Sequence, residues 1–396
     1  MIRRKAFKFR LKPNKSVEDA LLRFAGCNRF VWNKALALQK ERLDKNEYTL
    51  LYYKLAPELM RWKDEEQTAF LKECPSQTLQ QTLLNLDRAL KDAFNKTSSK
   101  RFPQFKKKGK HDSFRYPQGI KLDGNQVFLP KIGWVRFFKS REVVGTIKNA
   151  TVSRRGTHWF VSIQTEQDIE TSKYPSKSIV GIDVGIKKFA VLSNGAVFEP
   201  LNSFKQRAKR LASEQKALAR KQRGSNNFKK QKARVTKLHT KIADARLDYL
   251  HKTSTTISKN HACVVLEDLK VANMSHSAKG DEHNPGKNVK AKSGLNRSIL
   301  DQGWHTFKNL LGYKLNWLGG EQILVDAKYT SQRCSACGHT APDNRMSQAS
   351  FCCVACGQHE NADLNAARNI LAAGHAVLAC GDISPVWARA QESLVL

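Results

Sequence analysis

The sequence predicts an α+β chain of more than one domain, with two halves of different texture. Three observations carry that reading. Short alternating strands, one near residue 1 and others from about 120 to 166, bracket a long stretch of helical periodicity. Farther on, apolar β-branched runs at 179–192, 262–267 and 322–326 alternate with amphipathic helices, as in a mixed sheet. Finally, Cys334, Cys337, Cys353 and Cys356 form two Cys-x-x-Cys pairs with fifteen residues between them, the spacing of a small zinc module.

In the first half, residues 1–12 alternate basic and apolar side chains, Lys5, Phe7 and Phe9 among them, as a half-buried strand does. Pro13 and Asn14 turn the chain. The run Ser16-Val-Glu-Asp19 then reads as the capping-box start of a helix that carries Leu21, Leu22, Ala25, Phe30 and Trp32 inward. Between 76 and 95, Leu79, Leu83, Leu86, Leu90 and Phe94 recur every three or four residues and give one apolar stripe, ordinary helix-bundle core. Residues 96–110 break the pattern. There Arg101, Phe102, Phe105, Lys106, Lys107 and Lys108 make a basic loop with two aromatics, suited to phosphate contact and stacking. Strands return at 146–152 and 159–164 about a turn at Arg155-Gly156. The first 170 residues therefore read as a helical insert between β pieces of one small barrel or sandwich, followed by a polar linker containing Pro175.

The second half opens at 179–192 with two strands about a Gly185 turn, then a hairpin at Ser193-Asn-Gly195. Between 205 and 241 stand 14 Lys or Arg against one acid, Glu214, beside Val235, Leu238, Ile242, Ala245 and Tyr249 at helical spacing. With no acidic partners for i,i+4 pairing, two helices facing nucleic acid explain this run better than a solvated face. Arg207, Lys209, Arg210, Arg220, Lys221, Arg223, Lys229, Lys230 and Arg234 are the candidate contacts, and residues 224–227 divide the helices. Residues 275–293 read as a mobile loop, 297–318 as one amphipathic helix, and 374–396 as a partly disordered end.

Lys and Arg number 69 against 35 Asp and Glu, a formal net charge of +34 in 396 residues. Such an excess calls for a polyanion, and nucleic acid is the default. A membrane is the alternative, but no long apolar span is present and the N-terminus lacks a secretory h-region. A reducing cytoplasm follows, so the clustered cysteines read as metal ligands, and Cys27, Cys74, Cys263 and Cys380 as buried small residues.

Two constellations carry chemistry. Asp183 and Glu267 end apolar strands and Asp363 starts a helix, so the three carboxylates can converge at one sheet edge. Together they would hold Mg²⁺, and two such ions could activate water and stabilise the leaving oxygen in phosphodiester hydrolysis. Asp183 could instead cap a turn. Asp268 rivals Glu267, since strand alternation lets only one of them face the site. The four cysteines would close one structural Zn²⁺ site with no open position. Cys352 breaks the pair spacing, and His339 and His359 are rival ligands.

Both constellations, in this order, resemble the TnpB (OrfB-type) proteins of insertion-sequence transposons, relatives of the type V CRISPR effectors. The likeness spans nearly the whole chain. It is carried by Gly181-Ile-Asp-Val-Gly-Ile-Lys187, Val265-Leu-Glu-Asp-Leu269, Thr330-Ser-Gln-Arg-Cys-Ser-Ala-Cys-Gly338, Asn361-Ala-Asp-Leu-Asn-Ala-Ala-Arg-Asn369 and Phe102-Pro-Gln-Phe-Lys-Lys107. The resemblance implies an RNA-guided DNA endonuclease of prokaryotic cytoplasm, acting at the nucleoid. It would bind a guide RNA from the transposon end and a double-stranded DNA target beside a short flanking motif. It further implies a wedge β-barrel at 1–14 and 113–168 holding a helical recognition insert at 15–112, then a linker at 169–178. An RNase H-like (RuvC) nuclease domain would follow at 179–329 and 361–374, interrupted by a zinc-binding insert at 330–360, with a tail at 375–396. Its catalytic Asp, Glu and Asp fall on Asp183, Glu267 and Asp363. Asn361 stands where many members have a second Asp. A repressor that binds without cutting, or a transposase catalysing strand transfer, are the alternatives. The intact carboxylates argue against the first, and family likeness alone separates the second.

Overall fold

Alternation of Phe7, Phe9 and Leu11 with basic residues produces the first strand of the protein. The computed structural model describes residues 2–110, 112–168 and 178–379, and the chain divides into two units, 1–169 and 170–396. No helix among the described residues is long and apolar enough to cross a membrane.

In the first unit, β1 (Ile2–Arg10) leads into α1 (Lys15–Asp44), α2 (Tyr52–Asp64) and α3 (Ser76–Phe94). Asn14, not Ser16, caps α1: its side-chain carbonyl accepts from the Val17 amide at 2.8 Å. Ser16 lies inside the first turn, whereas Asn14, extended at ψ 177°, stands just before the helix where its side chain can accept. Leu79, Leu83, Leu86 and Leu90 are buried against α1, whereas Phe94 is 54% exposed and stacks edge-on with Phe102. Then come β2 (Ser113–Tyr116), β3 (Lys121–Asp123), β4 (Gln126–Leu129), β5 (Gly133–Arg136), β6 (Thr146–Arg155) and β7 (His158–Asp168). They form two antiparallel sheets, β1-β7-β6-β2 and β3-β4-β5, joined at the Leu11–Phe137 bridge. Pairing among the described strands does not close a ring. One apolar core, including Phe9, Leu21, Leu83, Val127 and Trp159, serves both sheets and the helices.

The second unit is built on a five-stranded mixed sheet, and the element order explains its position in the chain. β8 (Ile179–Val184), β9 (Ala190–Leu192) and β10 (Val197–Phe198) form an antiparallel meander. α4 (Ser203–Ala219) and α5 (Asn226–Asn260) lead to β11 (Cys263–Glu267), which pairs parallel to β8. After α6 (Val271–Met274), α7 (Val289–Gln302) and α8 (Trp304–Leu318), β12 (Glu321–Val325) pairs parallel to β11, giving the order β10-β9-β8-β11-β12. β13 (Ser350–Cys352) and β14 (His359–Asn361) form a hairpin before α9 (Ala362–Ala379).

Three expectations change here. The helix expected over 297–318 is two helices, because Gly303 at φ 73° ends α7 and opens α8. α7 also starts at Val289, inside the stretch expected to be loop, and α9 continues past 374 to Ala379. Residues 169–177, the greater part of the expected linker, and 380–396 with Cys380 lie outside the described residues. Cys27, Cys74 and Cys263 are buried as expected.

No side chain of its own caps α4; Asp301 of α7 does so from a distance. Its carboxylate accepts from the Ser203 hydroxyl at 3.0 Å and the Phe204 amide at 2.9 Å, and pairs with Arg246 at 2.8 Å. Asp301 is buried, so Asp301→Ala strands Arg246 and the helix amides together. We expect a stability loss of about 3 kcal/mol in urea titration; an unchanged midpoint would refute the capping role.

Candidate active site and metal centre

Asp183 and Glu267 are neighbours because their strands are. β8 and β11 run parallel with Ile182 opposite Leu266, so the next residues of each strand stand side by side at the carboxyl ends, about 4.8 Å apart in the ladder direction. Open α/β sheets gather their ligand sites at that end. α9 brings the third carboxylate. A Cβ on Gly181 would lie 2.3 Å from the Ala367 carbonyl oxygen and 2.6 Å from the Leu371 amide, and one on Gly374 2.4 Å from the Val265 side chain. The two glycines let α9 lie directly on β8 and β11. Ala367 sits over Gly181, and Asp363, one turn earlier, comes toward Asp183, two residues later on the same strand face.

Electrostatics record the convergence. Burial, then the charges of Glu267 and Asp363, push the Asp183 carboxyl up to about 7. Burial also raises Glu267, against the pull of a 2.6 Å hydrogen bond donated by the Thr330 hydroxyl. Like charges brought together out of water mark a candidate functional site. The rival Asp268 differs: it is exposed enough to pair with Lys270 and with Lys308 at 2.8 Å, which hold it down at about 2. Alternation sends Asp268 to the lysines and Glu267 to Asp183.

Arg345 is a charge that sequence reasoning missed. Its guanidinium donates to the Gln348 carbonyl at 3.3 Å, and its charge favours the ionised form of Asp183 against the two carboxylates. A single arginine in an irregular loop, just after a short helical turn at Pro342–Asn344, leaves no pattern to read.

The sulfurs of Cys334, Cys337, Cys353 and Cys356 lie within 4.8 Å of one another, with Cys334–Cys356 at 3.7 Å and Cys337–Cys353 at 3.6 Å. Those distances match the roughly 3.8 Å edge of a tetrahedron with 2.3 Å metal–sulfur bonds, so the donor set fits a tetrathiolate metal. Each pair sits in the same turn. Gly338 and Gly357, at φ 79° and 73°, donate their amides back to the Cys334 and Cys353 carbonyls. Backbone amides, that of Cys356 foremost, pull the Cys353 thiol down to about 6. The rivals fall away: His359 meets the Ser350 hydroxyl at 3.2 Å, and neither His339 nor Cys352 belongs to the cluster. Asn365 and Asn369, both buried, bind this module to α9. Asn365 accepts from the Ser335 amide at 2.9 Å and donates to the Arg333 carbonyl, while Asn369 donates to Thr330 and Arg333 carbonyls. Asn361 accepts from the Asp363 amide at 3.1 Å and caps α9, a task an Asp would also perform.

The basic candidates fall into two groups. Arg207, Lys209, Arg210, Arg220, Lys221, Arg223, Lys229, Lys230 and Arg234 lie on α4, α5 and their connection, mostly exposed, above a small core of Leu211, Val235, Leu238 and Ile242. In the first unit, Arg101, Lys107 and Lys108 are exposed. Lys106 is not free in the same way. Its backbone exchanges hydrogen bonds with the Asn33 side chain, and its ammonium lies 3.8 Å from the Trp32 ring centre, where burial lowers it to about 8. It anchors the loop to α1. Phe102 packs on Phe94, which leaves Phe105 as the exposed aromatic of the pair.

The OrfB_IS605 "Probable transposase" model matches residues 161–278, the "Cas12f1-like, TNB domain" model 304–370, and an OrfB_IS605 "Helix-turn-helix domain" model 1–47. The last span holds here a strand and the start of no second helix, only the 30-residue α1. The chain is 54% identical over 385 residues to "Putative RNA-guided DNA endonuclease InsQ" of Escherichia coli (strain K12), covering 97% of this chain and 95% of that protein. It is 34% identical over 390 residues to a "Putative RNA-guided DNA endonuclease" of Streptomyces pristinaespiralis, covering 96% and 91%. A solved structure described as "Cryo-EM structure of the Cas12f1-sgRNA-target DNA complex" shares the mixed α/β fold, with a TM-score of 0.51 at 15% identity, covering 93% of this chain and 98% of that one.

Proposed function

The chain belongs to the TnpB (OrfB-type, IS605) family, and from that premise we propose that it is an RNA-guided DNA endonuclease hydrolysing phosphodiester bonds at Asp183, Glu267 and Asp363. The observation that supports this most is the convergence of three carboxylates, with Asp183 held near 7 by burial and by its two neighbours. Such a donor set fits Mg²⁺, which when bound supplies an activated water and neutralises charge at the phosphate. The Thr330 hydroxyl fixes Oε1 of Glu267, and the positive charge of Arg345 favours the ionised form of Asp183. The four thiols would hold one structural Zn²⁺, and through Asn365 and Asn369 the module sets the start of α9.

In this reading the five-stranded sheet with α9 is the RNase H-like nuclease core at 179–329 and 361–374, and 330–360 is its zinc insert. The two sheets of the first unit form the wedge, at 1–14 and 113–168, and α1 to α3 the recognition insert, 15–112. Guide RNA and target DNA would lie along the cations of α4 and α5 and the 101–108 loop, in the cytoplasm where the nucleoid is reached. Base pairing would then choose the target, with the protein gripping backbone.

Sequencing the RNA that co-purifies with the protein, then assaying plasmid cleavage with that RNA and Mg²⁺, tests the proposal. A defined transposon-end RNA together with cutting is the expected result. A defined RNA without cutting would leave a repressor, and strand transfer without RNA a transposase. Gly181→Ala gives a second check. Pushing α9 off β8 should lower cleavage about 10²-fold with zinc content unchanged; full activity would mean that the close approach at Gly181 does not position Asp363.

A further inference from the structure

A groove of about 630 Å³ lies between α4 and α5, walled by Arg207 and Arg210 on one helix and by Arg234, Lys237 and Lys241 on the other. Many exposed cations elsewhere are ion-paired along their helices, as Lys15 is to Asp19, Lys45 to Glu41 and Lys252 to Asp248. None of these five groove cations meets a carboxylate within 4 Å among the described residues. Uncompensated cations facing one concavity form an anion site, and their spacing along two helices suits consecutive phosphates.

Glu214 is the exception, the lone acid in the groove. It does not swing out to the arginines. Its Oε2 accepts from Nε2 of Gln231 at 2.6 Å, its backbone carbonyl accepts from the same nitrogen at 3.0 Å, and Gln231 is itself buried. A fixed carboxylate among phosphate-binding cations repels the backbone they attract, so its own contact must be a donor. In a single strand the donors are the base edges and, in RNA, the 2′-hydroxyls, and only a base edge can set two donors side by side. Guanine alone sets two N–H donors side by side, N1–H and the 2-amino group, to match the two oxygens of a carboxylate. Adenine, cytosine and uracil each place an acceptor next to the donor, which a carboxylate opposes.

We infer that this groove captures an unpaired guanosine of the bound RNA, with flanking phosphates on the five cations and the base edge on Glu214. RNA is favoured because its loops and bulges present splayed bases at fixed places, the usual target of sequence-specific reading. The inference rests on the RNA-guided function proposed above.

Fluorescence anisotropy with the full-length protein and short uridine oligonucleotides tests it. Each would carry one central guanine, inosine or adenine, in RNA and in DNA form. The wild type should bind the guanine RNA about tenfold more tightly than the inosine or adenine RNA, because inosine lacks the 2-amino group. Glu214→Gln should erase that preference. Lys237→Ala should weaken all RNAs alike and lower the salt slope by about one. Equal binding of guanine and adenine RNA by the wild type, or a preference kept by Glu214→Gln, overturns the inference. So does an equal preference among the DNA oligonucleotides, which would assign the groove to a DNA strand. Plasmid cleavage with co-purified RNA on the same preparation separates the two claims. Cleavage without guanine preference removes the groove assignment only, whereas absence of both RNA and cleavage removes the nuclease reading.

Discussion

Asp183→Asn is expected to abolish DNA cleavage and, in Mg²⁺-free buffer, to make the protein more stable than the wild type. The loss should be at least about 10³-fold, because the carboxylate supplies both a cation ligand and several kcal/mol of charge organisation. Guide RNA and target should remain bound, since neither basic group involves this residue. The gain in stability follows from the same environment. Burial, Glu267 and Asp363 raise the folded-state value from 3.8 to about 7, so ionising Asp183 in the metal-free fold costs energy that the unfolded chain does not incur. That cost is absent below about pH 4, grows as pH rises toward 7, and is complete above it. Asp183→Asn should therefore melt with the wild type near pH 4 and be more stable by about 2–4 kcal/mol above pH 7. Asp363→Ala should share the loss of cleavage. Persistent cutting by either variant, or a melting difference independent of pH, would show that the site lies elsewhere or is not closed.

Cys334→Ser or Cys353→Ser should release one zinc per chain, open 330–360 to limited proteolysis, and also end cleavage. Ribbons of this kind draw their folding free energy from the metal, about 10–16 kcal/mol in isolated modules, because few apolar groups are available. Here the apolar centre is Phe351, Ala362 and two of the cysteines themselves. Loss of activity follows because Asn365 and Asn369 bind α9 to backbone at Thr330, Arg333 and Ser335. Cys352→Ser is the control and should keep its zinc. A Cys334→Ser protein with full zinc content would refute the four-thiol assignment.

The parts of the fold that the sequence made legible are those in which burial writes a pattern. β8 and β11 are buried along most of their length and read as apolar runs; α3 shows a leucine stripe because only one face is covered. The four-cysteine module was legible because two Cys-x-x-Cys pairs are a spacing that chelation would impose. What stayed hidden depends on partners distant in the chain. Asp301 caps a helix 98 residues earlier, and the charge of Arg345 acts on a carboxylate 162 residues away in the chain, so neither carries a local signal. Glu267 and Asp268 could not be told apart until the pairing with β8, which sets the facing side, was known. The loop at 101–108 shows the limit of composition: Lys106 reads like its neighbours Lys107 and Lys108, but Trp32 and Asn33 take it into the fold. Likewise 275–293 reads as loop, although its last residues begin α7, since helix starts without an N-cap side chain give no warning.

The order of these pieces along the chain also has a meaning during synthesis. Asp183 and Glu267, with α4 and α5 and the whole first unit, emerge from the ribosome well before α9. Until α9 can settle on Gly181, the growing polypeptide can gather nucleic acid but lacks one of its three acids. A product arrested anywhere before residue 362 should therefore be an inert binder, and the cell would meet a cutting enzyme only after zinc has shaped the segment that delivers the final carboxylate.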